Sequence, residues 1–72
     1  MTIGQKIKQL RLKHGLRQQQ LADKIGVSGG SISYWENELG EPHLYALIGM
    51  ANVFGVTLDE LCCRVKKERK ER

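Results

Sequence analysis

Residues 15–37 read GLRQQQLADKIGVSGGSISYWEN, and the spacing of the apolar side chains inside that stretch divides it into two short helices. Leu21 and Ile25 fall one helical turn apart with Ala22 beside them, which predicts a helix over 18–25 of barely two turns. Gly26 closes it, because a residue without Cβ adopts the left-handed backbone in which helices end. Ser28 follows as a natural N-cap, its hydroxyl accepting from an otherwise unpaired backbone N–H. The helix it opens turns Ile32 and Trp35 inward. Its other side carries Gly30, Ser33, Tyr34 and Asn37, with Gly29 at the edge. Two helices of this length joined by a tight turn containing glycine can lay the second in a DNA major groove while the first crosses the backbone. Helix pairs of this kind also occur in plain bundles.

Outward from this pair, Ile3, Ile7, Leu10 and His14 recur every three or four residues and define a first helix ended by Gly15. Leu44, Leu47, Ile48 and Ala51, extended by Phe54, form the apolar stripe expected of a fourth, with Gly49 costing about 1 kcal/mol in its interior. Gly55 ends that helix. Thr57 and Glu60 then make a capping box for a fifth, whose expected buried positions are Leu58, Leu61, Cys62 and Val65. Arg17 and His43 stand where caps of the second and fourth helices belong and look unable to serve, an omission worth about 1 kcal/mol each. The expected fold class is therefore all-α with five helices. One domain covers residues 1–65, and 66–72 form a basic charged tail without the apolar repeat of a coiled coil.

A chain of 72 residues has room for one core and buries only about 60% of its unfolded surface. A pocket of several hundred Å³ would weaken so small a core, whereas a convex binding face would not. No nucleophile, base and orienting group form a recognisable set, so an enzyme is not expected, nor is a cofactor or a small-molecule site. The adjacent Cys62 and Cys63 suit neither an ordinary disulfide staple nor a zinc site, and no metal is expected. Reduced cysteines, the lack of an apolar run long enough for a bilayer and the lack of a signal segment predict a cytoplasmic protein that does not enter membranes. The net charge of +4 is unevenly spread: residues 1–35 hold Lys6, Lys8, Arg11, Lys13, Arg17 and Lys24 against the single acid Asp23. Residues 36–61 carry five acids and no Lys or Arg. A basic half is what a polyphosphate partner requires, since each neutralised phosphate releases condensed counterions.

The quoted stretch resembles the helix-turn-helix of the phage-repressor, or Cro/C1-type, DNA-binding family. The resemblance runs from about Ile3 to Leu61. It is carried by Leu10-Arg11, Gly15-Leu16, Gln18 with Leu21-Ala22, Gly26-Val27-Ser28, Ser31-Ile32, Trp35-Glu36-Asn37, and Gly55-Val56 followed by Leu58 and Leu61. It implies a compact five-helix, lambda-repressor-like domain with the helix-turn-helix formed by helices 2 and 3. It also implies a repressor-like transcriptional regulator that binds double-stranded DNA as a homodimer, helix 3 in the major groove.

Carried over by position, the resemblance makes Gln18 and Asn37 contacts to DNA phosphate; Arg17 departs from the family's Ser, Thr or Asn cap, and its positive side chain near DNA is expected to meet a phosphate instead. Arg11 lies near the backbone and forms a structural ion pair with Glu36. The base-reading positions are Ser28, Gly29, Gly30, Ser33 and Tyr34. Here the chain departs from the family, which often places Gln, Arg or Lys near these sites. Hydroxyls, one aromatic ring and a closely approaching glycine backbone remain, which predicts sequence-influenced binding of modest specificity. Because helix 3 lacks Lys and Arg, a second reading stays open: a protein-interaction module, such as an antitoxin or anti-repressor partner, built on the same fold. Dimerisation is expected through the end of helix 4 and helix 5, using exposed parts of Leu61, Cys62, Cys63 and Val65.

Overall fold

Four of the five helices begin where the N-cap side chain accepts from a free backbone N–H of the first turn. Residues 1–62 are described by the structure, a computed structural model, and they form α1 (Ile3–Lys13), α2 (Gln18–Ile25), α3 (Gly29–Glu36), α4 (Leu44–Phe54) and α5 (Leu58–Leu61). The architecture is all-α, as expected. The tail 66–72 and, with it, Cys63 and Val65 lie outside the described residues.

Thr2 and Gln5 open α1 with a reciprocal capping box, a signal the spacing of apolar residues does not reveal. Ser28 caps α3 by accepting from the Ser31 N–H at 3.1 Å, and Thr57 caps α5 in the expected box with Glu60. At Gly26 the backbone is left-handed, with φ 75°, and the Val27 N–H then closes onto the Ala22 carbonyl at 3.0 Å. Leu16 and Val56 make the same closure onto Arg11 and Ala51. The expected missing cap at α4 is corrected: His43 Nδ1 accepts from the Ala46 N–H at 3.2 Å, so a ring nitrogen does the work of a hydroxyl. Arg17 does lack a side-chain cap, and the Gln20 carboxamide, accepting from the Arg17 N–H at 2.8 Å, helps to brace that end of α2.

The core joins Ile7 and Leu10 of α1, Leu21 and Ala22 of α2, Ile32 and Trp35 of α3, Ala46, Met50, Ala51 and Phe54 of α4, and Leu61 of α5. The expected stripe of α4 is rotated. Leu44 and Ile48 are exposed, while Ala46 and Met50 are buried. The reason is packing: Gly49 brings α4 so close to α2 that an added Cβ would stand 2.9 Å from Ile25 Cγ2. That contact sets which edge of the nearly all-apolar α4 faces inward. Leu58, expected inside, is likewise exposed. At the other end of the molecule Gly4 lets α1 lie against the end of α3, where an added Cβ would meet the Trp35 carbonyl oxygen at 2.5 Å. Glu38 follows α3 in the left-handed region at φ 61°, a position usually given to glycine, and its carboxylate accepts from Thr2 Oγ1 at 2.8 Å. The start of α1 is thereby tied to the end of α3.

Candidate nucleic-acid interface

Glu36 ends α3 with a carboxylate that serves three helices. Its Oε2 accepts from Arg11 Nε at 2.6 Å, and its Oε1 accepts from Arg11 Nη2 at 3.0 Å and from Gln18 Nε2 at 3.1 Å. The Arg11 fork engages both oxygens, the geometry in which a guanidinium binds a carboxylate most strongly. Arg11 is buried, and its Nη1 donates to the Leu16 carbonyl at 2.8 Å. The hydrogen bond to Glu36 raises the Arg11 pKa against the opposing pull of burial, with Coulombic attraction to Glu36 adding to the rise. The guanidinium is therefore a fixed positive charge that holds the end of α3 against α1 and the start of α2. Gln18 uses one amide proton on Glu36 and keeps a second donor beside the N-terminus of α2, where the helix dipole favours anions.

The base-reading candidates are distributed unequally along α3. Ser28 is exposed, but its hydroxyl is committed to the Ser31 N–H and shares a 3.0 Å contact with Ser31 Oγ. Gly30 is fully open: the nearest atom to an added Cβ is Ser28 Oγ at 3.8 Å. Gly29 is different, since an added Cβ there would run into the Gln19 side chain. Ser33 is half-buried and Asn37 folds back onto it, donating from Nδ2 to the Ser33 carbonyl at 2.9 Å. Tyr34 is half-exposed and lies across Gly40, whose absent Cβ would fall 2.5 Å from the ring edge. The edge of the ring that carries the hydroxyl lies beside Gly40, and about half of the residue stays open to solvent. Arg17 is exposed at the start of α2. Ser28, Gly30, Tyr34, Arg17 and part of Gln18 thus lie at the surface of the two-helix unit, while Arg11 and Glu36 lie beneath it.

Two features of the surface have no counterpart in the spacing of residues along the chain. Gln19 sits over Gly29, a pairing visible only once the α2–α3 crossing is known. Leu39, Leu44, Tyr45 and Ile48 are exposed around the start of α4; Leu61 is fully buried, as its place on the inner side of α5 predicts, and so leaves no exposed part for a dimer surface. Its apolar area belongs to the core.

Comparison with known proteins gives a consistent result. A helix-turn-helix family model matches residues 7–61. A transcriptional activator of Enterococcus faecalis, BcrR, is 41% identical over 61 residues, covering 85% of this chain and 30% of the relative. The other curated relatives it matches are spanned to about half their length, from 48% to 57%. Among solved structures, the P22 c2 repressor in complex with a synthetic operator superposes with a TM-score of 0.81 at 29% identity, covering 94% of this chain and 98% of that one. The biofilm regulator SinR in complex with DNA superposes at 0.77 with 34% identity, covering 83% and 97%.

Proposed function

The chain belongs to the helix-turn-helix family, and from that premise we propose that it regulates transcription, in the manner of a repressor, by binding double-stranded DNA in the cytoplasm as a homodimer with α3 in the major groove. The observation that carries this reading is the bracing of α3. Its inner edge is anchored by Ile32 and Trp35 and its end by the Arg11–Glu36–Gln18 cluster, while Gly30 is open and Tyr34 is half-exposed. A rigid helix with a low, uncommitted outer face is what close approach to base edges requires. Arg17 and the open amide proton of Gln18 stand at the start of α2, where a phosphate would meet both them and the helix dipole. Asn37, exposed at the far end of α3, would reach a second phosphate by turning its Nδ2 away from the Ser33 carbonyl and hydroxyl. The relatives support the reading: P22 c2 repressor is seen with its operator and SinR with DNA.

The test is fluorescence anisotropy of a labelled duplex at several salt concentrations. Binding whose log affinity falls linearly with log salt, with a slope set by the phosphates neutralised, is the expected result. A second reading, the protein-interaction module, is favoured by the lack of Lys and Arg in α3 and by the exposed Leu44, Tyr45 and Ile48. A folded protein that binds no duplex at low salt would decide for it. Dimerisation is proposed through the end of α4 and α5, where Leu58 is exposed, and sedimentation showing a monomer at high concentration would remove it.

A further inference from the structure

Asp23 is the single acid among residues 1–35, on the basic half of the chain, and it is exposed. Its carboxylate only accepts hydrogen bonds, so the neighbouring Gln19 amide must turn its nitrogen toward it, and Nε2 donates to Asp23 Oδ1 at 2.8 Å. The amide oxygen is thereby directed the other way, over the first residue of α3. A Cβ added to Gly29 would lie 2.6 Å from Gln19 Oε1 and 3.3 Å from Cδ. The Gln19 carboxamide fills the volume that a side chain at residue 29 would take. Gln19 is exposed, and its Oε1 is the acceptor in no hydrogen bond among the described residues.

We propose that Gln19, seated over Gly29 and oriented by Asp23, is a specificity-determining residue of the DNA interface, its Oε1 accepting from the exocyclic amine of an adenine or cytosine. The inference rests on the reading of α3 as the groove helix. An acceptor at this place has no use for a phosphate, whose oxygens are also acceptors. In the major groove it is matched by adenine N6 and cytosine N4 and opposed by guanine O6 and thymine O4. Residue 29 contributes by being absent: its missing side chain makes the seat, and a residue from α2 reads the base.

The experiment is selection of preferred sites from a randomised duplex library by the wild-type chain, Gln19→Ala, Gly29→Ala and the double variant, with thermal melts alongside. Gly29→Ala meets only the far end of a flexible side chain, so it folds and displaces the carboxamide. At one position of each half-site the wild type is expected to favour amino over keto bases by about threefold to tenfold. Both single variants lose that preference while keeping the others, and the double variant is no worse than either. A mere i, i+4 surface pair with Asp23 would move the melting temperature and leave base preference alone. An unchanged preference in Gln19→Ala, or a loss in Gln19→Ala that Gly29→Ala does not share, overturns the inference and leaves DNA binding intact. Failure of the wild type to bind any duplex at low salt overturns both.

Discussion

At Glu36 a single carboxylate accepts three hydrogen bonds from two other helices, with its side chain 4% exposed and that of Arg11 9% exposed. Removing one member of such a pair leaves the other charged and poorly solvated, which costs more than the pair contributes when intact. Arg11→Ala is therefore expected to destabilise the domain by about 3 kcal/mol, lowering the midpoint of a thermal melt by more than about 10 °C for a chain of this size. Arg11→Lys restores the charge without the planar fork and should recover only part of the loss. A melt of Arg11→Ala within a few degrees of wild type would show that the cluster is solvated and does not brace α3.

Among the elements, two glycines inside helices make opposite predictions. Gly4→Ala improves helix propensity but drives its Cβ into the backbone carbonyl of Trp35, which cannot move without shifting α3. The expected outcome is a loss of about 1–3 kcal/mol. Gly30→Ala meets open space and should gain about 0.5–1 kcal/mol from reduced unfolded-state freedom. Chemical denaturation measures both, and equal signs would refute the α1–α3 contact as described. The start of α2 supplies a third case. Arg17 has N-cap backbone geometry, φ −81° and ψ 163°, without a side-chain cap. Arg17→Ser is expected to stabilise the free protein by about 1 kcal/mol. The same change should weaken DNA binding evenly across sequences and reduce the salt slope by about one. Tighter binding by the variant would refute a phosphate contact at Arg17.

For the whole molecule, the separation of charge along the chain becomes a functional question of orientation. The proposed interface draws on the basic half through Arg17, and on the polar start of α2 and the outer side of α3, while α4 and α5 expose Leu44, Tyr45, Ile48 and Leu58. A homodimer arranged by twofold symmetry puts two copies of α3 one turn of DNA apart. Sites selected from random duplex should then be inverted repeats with half-site centres about 10–10.5 base pairs apart. Selected sites without twofold symmetry would count against the dimer while leaving the domain's own contact with DNA in place.

Local periodicity and capping made the five helices, the turn at Gly26, the Ser28 cap and the Thr57–Glu60 box legible in the chain, because each depends on residues within four positions of one another. The Arg11–Glu36 pair was legible only through family resemblance, since its members lie 25 positions apart. What the residues could not reveal are contacts set by how helices cross. An apolar helix such as α4 has no pattern that says which edge faces inward, and the approach of Gly49 to Ile25 chose Ala46 and Met50 over Leu44 and Ile48. The histidine cap at α4 depended on a ring tautomer and a backbone angle. The seating of Gln19 over Gly29 depended on the crossing of α2 and α3, a distance that no spacing along the chain encodes.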